Sequence, residues 1–173
     1  MKKWITACVL TVLMYVLHTT LLQRISIAGA VPNLIIILLV VISYRYGQVN
    51  GLIYGFIAGL FVDLMDGTYL GLFALLYMLL GYALGFANKI YDKDDYTIPL
   101  IITGLTDITY NFGIFVVGFL LRNRTHLLFY LRSVILPEAI YTVVVSVLLY
   151  RGLQKLFILL EPKEVEKEVT EID

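Results

Sequence analysis

Cysteine is almost absent from this sequence. Cys8 has no second thiol in the chain to pair with, so it builds no disulfide framework and says nothing of the redox compartment. In its apolar run it reads as a small buried hydrophobe. Histidine is nearly as scarce, and His18 and His126 are too few for a convincing metal site. Charge is thin at 15% of residues and balanced between 13 basic and 13 acidic side chains, which leaves no basic field for nucleic acid. Gly-x-x-x-x-Gly-Lys-Ser/Thr, His-Glu-x-x-His and Gly-x-Ser-x-Gly are missing as well, so nucleotide hydrolysis and the common hydrolase and metal chemistries lack their parts. No catalytic residue, cofactor or metal is expected.

What the sequence has is apolar surface. Hydrophobic residues make up 60% of it and mean hydropathy is +0.88, against roughly 45–50% apolar residues in an average soluble domain. The class is an integral membrane protein. In a chain of 173 residues, several membrane spans leave no room for a soluble catalytic domain.

The stretch from Gly51 to Gly85 organises the rest. Gly51, Gly55, Gly59, Asp63, Gly67 and Gly71 recur every four residues. Glycine costs about 1 kcal/mol against alanine inside a helix, so glycines on one helix face call for a second backbone close by. Gly81 and Gly85 repeat the spacing on the next helix, and all five helix glycines, Gly51, Gly55, Gly59, Gly81 and Gly85, read as packing positions.

Taken in order, the first span covers Met1 to Leu22. Its Lys2-Lys3 start resembles a signal peptide, but the apolar run is too long and lacks a cleavage site. Pro32-Asn33 restarts a helix for the second span, Leu34 to Tyr44, which is short and is expected to draw on Val31 and Tyr46. The third span is Val49 to Met65, ended by the turn signal Asp66-Gly67, and the fourth runs from Tyr69 or Leu70 to Ala87. A polar segment over 88–97 precedes the fifth span, Ile98 to Leu121. After the connection from Arg122 to Arg132, the sixth span runs from Val134 to Leu153 with Pro137 near its start, followed by an interfacial LFILL. The expected fold is all-α: a polytopic bundle of six transmembrane helices over residues 1–160, with a charged flexible tail over 161–173.

Orientation follows the excess of Lys and Arg on one side. With the N-terminus in the cytoplasm that side holds Lys2, Lys3, Arg45, Lys89, Lys93, Arg151, Lys155, Lys163 and Lys167, leaving Arg24, Arg122, Arg124 and Arg132 outside. Both termini are therefore expected in the cytoplasm.

Depth along the helices groups the polar residues. Asp63 lies about 21 Å along the third helix, toward the outer face, at a level shared with His18 and Glu138. Asn33, Asp66 and Arg132 fall at or just beyond that level. One reading is an outward polar cavity with Asp63 and Glu138 as acceptors and His18 as partner or proton carrier. The other is a set of interfacial side chains that reach for the headgroups and pair with arginines. Asp63 sits awkwardly in the second, because a carboxylate near a helix C-terminus meets the negative end of the macrodipole.

Asp107, about 13 Å along the fifth helix, is the deepest charge and costs roughly 2.5–3.5 kcal/mol on insertion scales. Thr103, Asp107, Tyr110 and Asn111 share one face. They form either a relay or ligand site, or a buried hydrogen-bonded node.

Several of these stretches carry a likeness. Pro-Asn-Leu opening the second helix, Gly-x-x-x-Gly-x-x-x-Gly-Leu-Phe-x-Asp-Leu-x-x-Gly-x-x-x-Gly over Gly51 to Gly71, and Leu-Pro-Glu-Ala-Ile-Tyr at the last helix together resemble the MreD family of rod-shape-determining membrane proteins. The resemblance runs from Lys2 to about Leu160. It implies a non-enzymatic subunit of the bacterial elongation machinery in the cytoplasmic membrane. Such a subunit binds MreC and helps couple cytoplasmic MreB to RodA and a class B penicillin-binding transpeptidase. The family is also similar in fold to the S components of energy-coupling-factor transporters, which have an outward cavity, so the alternative is a vitamin-binding S component. Those proteins carry an Ala-x-x-x-Ala docking surface on the first helix; here Ala7 is followed by Thr11, which departs from it.

Overall fold

Asn33 opens the central element. In the computed structural model its side-chain oxygen accepts from the Ile36 N–H at 3.2 Å, a helix cap that starts α2 (Leu34–Tyr46). Gly47 ends it with a φ of 83°, a backbone conformation that side chains disfavour. Residues 2–20, 22–25, 30–66, 71–87, 97–122 and 130–160 are described. The expected turn at Gly67, the polar segment over 88–96, the connection over 123–129 and the tail over 161–173 lie outside them.

The described residues form six helices. Helix α1 (Lys2–Thr20) is followed by a 3₁₀ turn (Leu22–Ile25), then α2, α3 (Gln48–Asp66), α4 (Leu72–Leu84), α5 (Thr97–Arg122) and α6 (Leu136–Leu160). A π-helical turn over Leu131–Ile135 leads into α6, closed by the Leu136 N–H donating to the Leu131 carbonyl. Pro137 explains it: with no N–H to offer, proline leaves a carbonyl of the preceding turn without its usual donor, and a widened turn accommodates the gap. The helical path therefore begins before the expected Val134.

Every residue from Leu34 to Tyr44 is buried, and α2 packs against all five other helices. An element hydrophobic all round is one that is surrounded. At about 1.5 Å per residue its 13 residues reach only about 20 Å. Val31 does not lengthen it, because the cap at Asn33 fixes the start. The shortness meets no lipid, since neighbouring helices clothe α2 on every side.

Helices α3 and α4 are the closest pair. A Cβ built on Gly51 would land on the Gly81 carbonyl oxygen, one on Gly55 on that of Tyr77, and one on Gly59 on that of Phe73. Gly81 meets Gly51 in return, and Gly85 lies against the Gln48 backbone. The two backbones touch along three turns, which is possible only without side chains between them.

The outward faces of the bundle are apolar. Val9, Val16, Leu64, Leu79, Leu105, Val144 and Leu148 are exposed, from helices all around the molecule. Cys8, read from the sequence as buried, stands on this outer surface too, because the inward face of α1 is taken by Ala7, Leu10, Thr11 and Met14. Three helical stretches are long and apolar enough to cross a membrane: Gln48–Met65, Thr97–Gly118 and Leu131–Leu153. The apolar parts of α1, α2 and α4 are shorter.

Candidate functional site

The polar residues singled out by depth do not gather in one place. Asp63 is fully buried, and its two carboxylate oxygens accept from the Phe73 N–H at 3.1 Å and the Ala74 N–H at 2.9 Å. These are orphan donors in the first turn of α4. Gly71 precedes that turn and has no side chain to cap it, so Asp63 does so from the preceding helix. The positive end of α4 answers the unfavourable end of α3, which resolves the awkward position of this carboxylate.

His18 is half-buried near the end of α1, and its Nδ1–H donates to the Pro32 carbonyl oxygen at 3.1 Å. A carbonyl only accepts, so that nitrogen carries the hydrogen. The bond ties the end of α1 to the entry of α2. Arg132 is exposed on the π-helical turn. The Asp66 side chain lies outside the described residues.

Glu138 belongs elsewhere, with the residues of α5. Helices α5 and α6 run antiparallel, and Gly104 abuts Val143, where an added Cβ would come 2.9 Å from Val143 Cγ2. One to two turns further along α5, Asp107 and Asn111 come opposite Thr142 and Glu138. The Asn111 amide reaches the Glu138 carboxylate, and Asp107 lies within electrostatic range of Glu138. Asn111 Nδ2 also donates to the Asp107 backbone carbonyl at 3.1 Å. Thr142 Oγ accepts from the Asn33 backbone N–H at 3.0 Å, which brings the N-terminus of α2 to the same spot.

Tyr77 of α4 and Tyr110 of α5 close the cluster, their rings stacked at 4.9 Å and 4°. The Tyr77 hydroxyl has Tyr110 and Asn33 as hydrogen-bonding neighbours. Thr103 turns away, donating to the Pro99 carbonyl of its own helix at 2.7 Å. The Asp107 carboxyl is fully buried, and although Thr142 faces it, neither of its oxygens finds a hydrogen-bond partner among the described residues. Such a group is costly and invites explanation. No trio of His, Cys, Asp and Glu side chains gathers among the described residues.

Sequence reading missed Tyr77 and Thr142. Thr142 left a trace, because Glu138, Thr142 and Ser146 recur every four residues and so share a helix face. Tyr77 left none, standing as one aromatic among many in an apolar run. A second buried contact, the Thr11 and Tyr54 hydroxyls at 2.8 Å, joins α1 to α3 and was equally silent.

Fold and site together define a class: an all-helical protein with an apolar outer surface and its polar groups turned inward, as in membrane bundles. Within that class the chain belongs to the MreD family, described as rod shape-determining protein MreD, which it matches over residues 1–160. It is thus a rod shape-determining membrane protein. No curated protein and no solved structure gives a significant match.

Proposed function

We propose that the chain is a non-enzymatic scaffold of the bacterial elongation machinery, crossing the cytoplasmic membrane six times with both termini in the cytoplasm. Residues 1–160 form the membrane domain and residues 161–173 a charged cytoplasmic tail. In this reading it binds MreC, and through it helps couple MreB to RodA and a class B penicillin-binding transpeptidase. The family match over residues 1–160 carries the proposal. The exposed apolar faces of the bundle supply surface on which a partner's transmembrane helix can pack.

One observation weighs against the vitamin-transporter alternative. Ala7 and Thr11, which stand where a docking surface on the first helix is sought, both face inward, and Thr11 is engaged by Tyr54. Deletion of the gene is expected to round rod-shaped cells, and the protein is expected to co-purify with MreC in mild detergent. Cells of normal shape that have lost uptake of one vitamin would replace this reading with the transporter.

A further inference from the structure

We propose that the buried acidic cluster between α5 and α6 binds a single hard metal cation of the Na⁺ or Ca²⁺ class, held by the carboxylates of Asp107 and Glu138 with the Thr142 hydroxyl. This departs from the sequence expectation of no metal, and it holds whether or not MreC is the partner.

The donors come first. Both Asp107 oxygens are buried and without a hydrogen-bond partner among the described residues, although the carboxyl is surrounded by side chains that use theirs. Asn111 gives its amide to the Asp107 backbone carbonyl and to Glu138, so it steadies Glu138 and leaves Asp107 alone. Thr142 accepts from the Asn33 N–H and turns its remaining valence toward Asp107. The donor atoms of Asp107, Glu138 and Thr142 are all oxygens. Oxygen donors without nitrogen or sulfur select hard cations.

Charge is the second argument. Two carboxylates within range of each other in a low-dielectric interior repel strongly, and no basic side chain among the described residues stands beside either one. The N-terminus of α2 is the nearest positive influence, and a helix end carries only about half a charge. A bound cation neutralises the pair and supplies both orphaned oxygens with ligands. Glu138 is only half-buried, so the cluster reaches the surface of the bundle at the start of α6.

The site also has a structural consequence. Asp107 sits on α5, Glu138 and Thr142 on α6, and the α2 N-terminus abuts Thr142, so one ion clamps three helices at the centre of the bundle.

The test is thermal unfolding of the full chain in detergent, stripped with chelator into choline chloride. NaCl, KCl, MgCl2 and CaCl2 are then titrated at constant ionic strength. A saturable rise in Tm with Na⁺ or Ca²⁺ is expected, about 5–10 °C at a hundred times Kd, with K⁺ or Mg²⁺ weaker. Asp107→Asn and Glu138→Gln keep the shape and remove the charge, and each is expected to abolish the response while remaining folded. Thr142→Val is expected to weaken it several-fold, which keeps the site testable if a carboxylate variant fails to fold. No rise above choline for any cation overturns the proposal. An equal rise in the Asp107→Asn, Glu138→Gln double variant does the same, as does stabilisation by acid alone, which would mean that the pair shares a proton.

Discussion

Asp63 shows how much a residue's role depends on what the fold brings to it. From the sequence it is a carboxylate at the wrong end of a helix; in the fold it satisfies two backbone donors of the next one. Asp63→Ala leaves both N–H groups buried without a partner, a loss of about 2–4 kcal/mol that a detergent melting curve would show as a lower Tm. Asp63→Asn keeps one acceptor and presents its amide hydrogens to the other donor, so an intermediate loss is expected. Unchanged stability with lost cell shape would return Asp63 to a partner-binding role. Thr11 and Tyr54 give a second, asymmetric case. Thr11 also donates to the Ala7 carbonyl, so it is still engaged when Tyr54 becomes Phe, whereas Thr11→Val strands the Tyr54 hydroxyl inside the protein. Thr11→Val is therefore expected to cost about 1–3 kcal/mol and Tyr54→Phe less, read from the same melting curves.

Among elements, the α3–α4 pair depends on glycine in a way that separates its glycines from others. Gly55→Leu drives a side chain into the Tyr77 backbone, where nothing flexible can yield, and is expected to abolish accumulation of the folded protein in membranes. Gly118 in α5 has open space where its Cβ would be, so Gly118→Ala is expected to stabilise by up to about 1 kcal/mol through helix propensity. A Gly55→Leu protein with the wild-type Tm would remove the close contact on which the pairing rests. Glycine periodicity was legible in the sequence because backbone contact has so few chemical solutions. Helix existence was legible for the same reason, since proline, asparagine and glycine mark ends by their own geometry. Which polar residues meet was not. Depth along each helix put Glu138 level with Asp63, but helix tilt and rotation decide neighbours, and these come from packing. The long apolar run of α2 likewise cannot say whether lipid or protein surrounds it; only the other five helices decide that.

For the molecule as a whole, the proposed topology makes the sharpest demand on the connection between α5 and α6. Arg122, Arg124 and Arg132 flank it, and three arginines on the outer side run against the usual excess of basic residues inside. The assignment rests on the sum over the chain, where Lys2, Lys3, Arg45, Lys89, Lys93, Arg151, Lys155, Lys163 and Lys167 outweigh these three and Arg24. Cys8 makes the test clean, because it is the one native thiol and Cys8→Ala gives a cysteine-free background. In that background His126→Cys is expected to react with a membrane-impermeant thiol reagent added to intact spheroplasts. Lys89→Cys and Lys163→Cys are expected to react only after the membrane is opened. The reverse pattern would invert the bundle, place the π-helical turn and Glu138 toward the cytoplasmic face, and require the proposed cation to come from inside the cell. Labelling of all three sites from one side would mean that neither α5 nor α6 crosses the membrane, although they hold two of the three long apolar stretches, Thr97–Gly118 and Leu131–Leu153, and would overturn the six-span topology.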